Sequence, residues 1–344
     1  MRNRYLATLL LIAVFLSACS AVQPAASTGS DPASELVDLT ACTSATGFGN
    51  WPFFYAEATG LFPKYGLRVT EQEISSGSDA MAAMLAGDVD LCHIGGAAVV
   101  NAALAIDGPV IVAGLVNRQP YSLVVAQGIE DPADLLGKAL AVSSPGSASD
   151  SIMRSALQAI GLNPDTDVTI VAVGGQAERL ASMESGQVAG TVLTLSELGN
   201  ALRMGYHVLV DMADLGVPYQ HTSVATMRTF LEENPKTVEQ YLKALLEARA
   251  LMESDPEQGP QFIANALLID SDQEMNNIRE IYDTVVRQYL EKALLPTPEG
   301  VEVLIAEGSK ENPTARDITA DDVIDDSIVR ELERSGFIAG LYAQ

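Results

Sequence analysis

The stretch LVDLTACTSATGFGNWPFFYAEAT, residues 36–59, carries the logic of the fold in miniature. An apolar, β-branched run (36–44) gives way to a loop of small residues (45–50), and a helix is expected from Pro52 to about Thr59. Pro52 suits the first helical turn, because the N–H it lacks would have no intrahelical acceptor there. The grammar then repeats. LRVTEQEIS (67–75) leads through SSGS (75–78) to a helix over 79–86 with Ser78 as its N-cap, and DVDLCHIG (88–95) leads through Gly96 and Ala97 to a helix ending near Ile106. Alternating strands and helices predict a mainly parallel sheet covered by helices.

The middle of the chain obeys the same rule. ALAVSS (139–144) and PGSAS (145–149) precede a helix over Asp150–Ile160, whose Ile152, Met153, Ala156, Leu157 and Ile160 form one apolar stripe. VTIVAVGG (168–175) leads to a helix from Gln176 to about Glu184, and GTVLTL (190–195) to one from Ser196 to about Arg203. AMLAGDVDLCHIGGA (83–97) is echoed by ASMESGQVAGTVLTL (181–195), as two similarly built lobes would require; Ala189 replaces Asp90, so the echo extends to architecture and not to site chemistry.

Two long β-rich segments, 110–127 and 207–227, are each broken by a Pro-Tyr pair (Pro120-Tyr121, Pro218-Tyr219) and are read as the crossings between lobes. Beyond Thr229 the chain is helical. Asn234 is the expected cap, Pro235 the start, and Val238, Tyr241, Leu242, Leu245 and Leu246 the buried face of a helix that packs back on the first lobe. Pro296 and Pro298 mark a loop, and a last helix is expected over Asp325–Ser335.

At the other end, Arg2 and Arg4 precede an apolar run from Tyr5 to Phe15, closing in Leu16-Ser17-Ala18-Cys19. The run is too short to span a bilayer, which takes ~20 residues. The pattern is that of a signal peptide (1–18) ending in a lipobox, so the mature protein is expected to start at a lipidated Cys19 outside the cytoplasmic membrane. Residues 19–35, rich in Ala, Ser, Pro and Gly, form a flexible tether.

Acidic residues number 45 against 20 basic ones, a net charge of −25, which excludes nucleic acid and anionic lipid surfaces as natural partners. Of three cysteines, Cys42 and Cys92 remain after Cys19. Both sit in strand-like runs; buried free thiols are the simpler reading, and pairing requires the two strands to be neighbours. No metal-ligand spacing and no cofactor motif is present. The acidic group Asp321, Asp322, Asp325 and Asp326 lacks the ligand order of a calcium loop and suits the start of the last helix.

Ligands of open α/β sheets bind beyond the carboxyl ends of strands, where helix N-termini offer unpaired N–H groups. The loop 143–149, dense in hydroxyls, is the best example, and the loops 47–51 and 75–78 share its character. Phe48, Trp51, Tyr121, Tyr219 and His221 are the nearby aromatic rings, with Trp51 able either to stack on a ligand or to fill the core. Arg118 and Glu197 are the nearest charges. His93, His207 and His221 have no nucleophile partner and are read as structural, and motifs of phosphate-binding, serine-hydrolase and zinc-peptidase chemistry are missing.

Gly60-Leu61-Phe62-Pro63-Lys64-Tyr65-Gly66-Leu67-Arg68-Val69, the step Leu85-Ala86-Gly87-Asp88-Val89-Asp90, Asp134-Leu135-Leu136-Gly137-Lys138 and Asn234-Pro235 together resemble the signature of ABC-importer solute receptors for nitrate, alkanesulfonates, taurine and pyrimidine precursors of thiamine. The resemblance covers about residues 38–290. It implies a type 2 periplasmic-binding-protein fold, with two α/β lobes, a two-strand hinge and a ligand between them. Lobe I would comprise 36–121 and 219–344, the latter including the C-terminal helices, and lobe II 122–218. By position, the family's ligand loops fall on Gly49, Asn50 and Trp51; on Ser76, Gly77 and Ser78; on Gly96 and Ala97; on Ser144, Gly146, Ser147 and Ala148; and on Gln176 and Glu197. Asn117, Tyr121 and Tyr219 join the candidates from the crossings. The loops carry almost no basic side chain, which leaves a neutral or heteroaromatic ligand open beside an oxyanion. The implied protein is a monomeric, lipid-anchored receptor without catalytic residues, metal or cofactor, delivering a small nutrient to a permease and its ATPase. Enzymes and ligand sensors on the same architecture are the alternative classes, and an exported anchor argues against a cytoplasmic biosynthetic enzyme.

Overall fold

The computed structural model describes residues 36–343 apart from positions 45, 46, 75, 217, 270 and 313. The expected signal peptide, Cys19 and the tether lie outside the described residues. Two five-stranded sheets organise the rest. The first contains β1 (Val37–Thr43), β2 (Leu67–Glu73), β3 (Leu91–Gly95), β4 (Pro109–Val116) and β10 (Thr222–Met227), in the order β2-β1-β3-β10-β4. The second contains β5 (Tyr121–Val125), β6 (Ala139–Val142), β7 (Thr169–Ala172), β8 (Gly190–Thr194) and β9 (His207–Asp211), in the order β7-β6-β8-β5-β9.

The two orders superimpose position by position, with β1, β2 and β3 equivalent to β6, β7 and β8. The sequence echo has its counterpart here: Gly87 and Gly186, with φ of +79° and +74°, end the helices that feed β3 and β8. Each sheet is mixed, not wholly parallel. β10 runs antiparallel to β3 and β4, and β5 antiparallel to β8 and β9. The reason is topological, since each of these strands enters its sheet from the other one and therefore points the opposite way. The β4–β5 and β9–β10 connections are thus the two crossings, as the broken β-rich segments suggested.

Helices α1 (Trp51–Ala58), α2 (Leu61–Lys64), α3 (Gly77–Ala86) and α4 (Gly96–Ala105) belong to the first sheet, and α5 (Ala148–Ala159), α6 (Gln176–Glu184) and α7 (Leu195–Arg203) to the second. The C-terminal part holds α8 (Arg228–Glu233), α9 (Pro235–Ser254), α10 (Gly259–Ala266), α11 (Asp272–Thr284), α12 (Pro298–Glu311), α13 (Ala320–Val323), α14 (Ser327–Arg334) and α15 (Phe337–Leu341). It returns to the first sheet: α9 packs on α1 and α2, α12 on α4, and α13 and α14 on β4. The five apolar residues expected on α9 are all fully buried, each worth about 1.5–3 kcal/mol of burial before entropy is charged against it. Among the described residues no helix is long and apolar enough to cross a membrane.

Three local expectations change. Ser76, not Ser78, occupies the N-cap of α3, and the two hydroxyls bond each other at 2.7 Å. Asn234 stands at the N-cap of α9 as expected, but its side chain makes no cap hydrogen bond, and its amide Nδ2 donates instead to the Phe230 carbonyl of α8. The C-terminal acidic residues serve separate short helices: Asp322 closes a capping box with Thr319, and Asp326 pairs with Arg330. The thiols also differ from the simpler reading. Cys42 and Cys92 face each other in the β1–β3 register, 4.4 Å apart at Cα, and form a disulfide.

Candidate functional site

Six helices begin where strands of the two sheets end: α1, α3 and α4 after β1, β2 and β3, and α5, α6 and α7 after β6, β7 and β8. The crossings run between these two sets. The His221 N–H donates to the Val116 carbonyl at 2.9 Å, so the two crossings pair at the junction of the lobes. The Gly96 N–H in turn donates to the His221 carbonyl at 3.0 Å.

His221 and Thr222 form the meeting point. The His221 ring lies 5.0 Å from the Tyr121 ring, and its Nδ1 is 2.7 Å from Thr222 Oγ1. A Cβ on Gly49 would collide with that same hydroxyl, and one on Gly96 with the Gln220 carbonyl. Gly95 stands close enough to Ala148 that an added Cβ would lie 3.3 Å from the alanine methyl. The Asn101 amide of α4 reaches the Gly146 carbonyl at 3.1 Å. Of the expected site residues, Gly49, Gly96, Tyr121, Gly146 and Ala148 therefore converge on one junction, and glycine is required at 96, where backbone meets the Gln220 carbonyl, and at 49, where the Thr222 side chain leaves no room for a Cβ. Ala97 follows one residue into α4 and, with Asn101, Ser151, Arg154 and Glu307, borders a cavity of about 130 Å³ between α4, α5 and α12.

Other candidates are placed differently. Trp51 is 2% exposed and stacks on Tyr282 of α11, 5.7 Å between centroids, because α1 turns that face to the C-terminal helices. Tyr219 is fully buried in the core shared by the sheets, beside Ser151, Glu307 and Asp150, and burial raises its phenol well above the ordinary range. Asn117 points its amide at the Leu295 carbonyl, 2.7 Å away, tying the first crossing to the segment before α12. Asn50 is buried beside Trp51. Gly77 packs α3 against Ala98 of α4. Gln176 uses its Oε1 to accept from the Thr194 N–H (2.8 Å) and hydroxyl (3.0 Å), locking the start of α6 to the end of β8. Glu197 accepts from Asn200 at 3.1 Å. Ser147 joins Ser143 and Ser149 in a ring of hydroxyl bonds of 2.8–3.0 Å, so these serines largely satisfy one another. Ser144 Oγ, in contrast, is buried without a partner among the described residues.

The electrostatics of the helix ends are uneven. Asp79, Asp150, Glu178 and Glu197 occupy the first turns of α3, α5, α6 and α7, and Asp150 already accepts the Gly146 N–H at 2.8 Å. Of these six helices, α1 and α4 start without an acid. The dipoles of four N-termini are thus answered by the protein's own carboxylates.

Arg179 escaped the sequence reading. It is 2% exposed on α6, with Nη1 on Thr191 Oγ1 (3.1 Å) and the Val192 carbonyl (2.7 Å). Burial lowers its pKa, while Tyr121, Glu178 and Glu197 nearby favour the charge. The helical stripe Arg179, Leu180, Met183 could have flagged it as inward-facing, but nothing local says that a cation will be tolerated there. Gln119 was also missed, although it directly precedes the Pro120-Tyr121 pair. His221 and His93 are both pushed down to about 3 by burial and are therefore neutral. His93 is held by the Tyr241 hydroxyl at 2.9 Å, as a structural histidine should be.

Two α/β bodies of matching strand order, joined by paired crossings with helix N-termini gathered at the joint, define the periplasmic-binding-protein fold. The aliphatic sulphonate binding protein SsuA of Escherichia coli has the same fold, with a TM-score of 0.68 at 22% identity over 84% of this chain and 92% of that one. Residues 46–266 match the NMT1-like family, and the chain belongs to it. Among curated proteins it is 27% identical over 213 residues to the taurine-binding periplasmic protein of Escherichia coli and 25% identical over 230 residues to the nitrate/nitrite binding protein NrtA of Nostoc. Those alignments take in 60% and 58% of this chain, and 64% and 50% of the relatives' own lengths.

Proposed function

We propose that this protein is the extracytoplasmic receptor of an ABC importer, which captures a small sulfonate-, nitrate- or pyrimidine-like nutrient by lobe closure and presents it to a permease and ATPase. The observation that carries this reading is the meeting of the two lobes at the paired crossings, where Gly96 and Tyr121 contact His221, Gly49 abuts Thr222, and Ala148 abuts Gly95. A ligand whose contacts exist only when the lobes meet shifts an open and closed equilibrium toward the closed form. Lobe I is assigned 36–121 and 219–344, and lobe II 122–218; the sheets divide the strands in the same way except at Tyr121, which opens β5 of the second sheet. The Leu16–Cys19 lipobox supports a lipid anchor on a monomer held outside the cytoplasmic membrane.

The test is small-angle scattering of protein stripped of and then returned to the small molecule found with it by native mass spectrometry from its own host. Contraction on ligand addition is expected. An unchanged scattering curve with the ligand tightly bound would sink the clamp mechanism.

A further inference from the structure

The first crossing carries an unsettled account. Gln119 is 1% exposed, yet neither its amide Nε2 nor its Oε1 has a hydrogen-bond partner among the described residues. A buried amide with both ends unpaired is rare in a native protein, and leaving it so costs about 1–3 kcal/mol for each group. Gln119 lies in the crossing between Val116, whose carbonyl accepts the His221 N–H, and Tyr121, whose ring faces His221. His221 has a similar deficit: Nδ1 is engaged by Thr222 Oγ1, but Nε2 is shut from solvent without a partner among the described residues.

These orphans differ in what they demand. Thr222 can donate to or accept from Nδ1, so Nε2 can take either role. Gln119 is stricter, since its Nε2 needs an acceptor and its Oε1 a donor. An acceptor-only oxyanion would leave Oε1 unpaired. It would also meet the negative charge of Asp79, Asp150, Glu178 and Glu197, which stand in the first turns of four of the six helices.

We propose that Gln119, with His221, reads the ligand at the joint of the lobes, and that the ligand presents an N–H donor beside an acceptor, as an amide, lactam or amidine does. This rests on the receptor reading above and narrows it to a ligand class. The Gln119 amide would pair with such an edge through two parallel hydrogen bonds, and His221 would take a third polar atom.

The test uses full-length mature protein and four probes at matched concentrations: 2-pyridone, N-methyl-2-pyridone (the same acceptor without the donor), nitrate and methanesulfonate. By titration calorimetry 2-pyridone should bind at least about tenfold more tightly than each of the others, the worth of one hydrogen bond. Gln119→Met should erase that preference and, by removing two orphaned atoms at constant volume, raise the Tm of the unliganded protein. A residue needed only for folding would lower it. The proposal is overturned if methylation makes no difference, if an oxyanion binds most tightly, if no probe binds, or if Gln119→Met keeps the preference. Should nitrate or methanesulfonate bind and contract the scattering envelope, the receptor reading stands while this one falls. If even a co-purified molecule leaves the envelope unchanged, the receptor reading itself fails.

Discussion

Ser155 on α5 donates its hydroxyl to Glu307 on α12 at 2.7 Å, linking a helix of the second sheet to one that packs on the first. With Asn101 to Gly146, it fastens the two bodies without using a ligand. Ser155→Ala should therefore loosen the contact between the two bodies by about 1 kcal/mol, the net worth of one such bond. Scattering of the unliganded variant should report a larger radius of gyration, and ligand affinity should weaken by up to about tenfold.

Gly96 abuts the Gln220 carbonyl, where a methyl group has no room. Gly96→Ala should destabilise the fold by about 1–3 kcal/mol through forced backbone displacement, read as a lower urea midpoint. Gly340→Ala, at a position with nothing nearby, should leave the midpoint almost unchanged.

His93 and His221 are held neutral, each pushed down to about 3. The unfolded chain titrates these groups near 6.5, so below that pH it binds protons that the folded protein refuses. Stability is thus flat above about pH 7 and falls as pH drops toward 3, by up to about 1.4 kcal/mol per pH unit for each histidine. Urea midpoints at pH 7.5 and 5.5 should differ accordingly, a window that precedes most carboxylate titration. Replacing both histidines with glutamine should flatten the slope; an unaltered slope would refute the assignment.

The Cys42–Cys92 bridge closes a loop across 50 positions, and its removal should cost about 2–4 kcal/mol. Alkylation of denatured, unreduced protein followed by mass measurement should find neither cysteine modified. Cys42→Ala with Cys92→Ala should lower Tm and leave the β1–β3 pairing in place.

Much of the architecture could be read from residues 36–230, because its signals are local. Pro52 and Pro235 opening helices, the fully buried faces of α9 and of α5 at Ile152, Met153, Ala156 and Leu157, and the Pro-Tyr breaks in the crossings all follow from periodicity and backbone chemistry within a few residues. The candidate site was legible as a set of loops, since a loop between a strand and a helix must lie at the strand's carboxyl end. Which side chains inside those loops faced the joint was not legible. Trp51 and Tyr219 went to the cores, and Asn117 and Gln176 were drawn into bonds with Leu295 and Thr194, partners 178 and 18 residues away.

Chain order alone dictated that strands and helices alternate and where each begins, because those choices are settled by neighbours along the backbone. The order β2-β1-β3, and with it the cysteine pairing, was decided only by packing, as were the buried cation at Arg179 and the unpaired amide at Gln119. These depend on contacts between segments distant in sequence, where the energy of a charge or amide is set by what the fold brings alongside it and not by the residue itself.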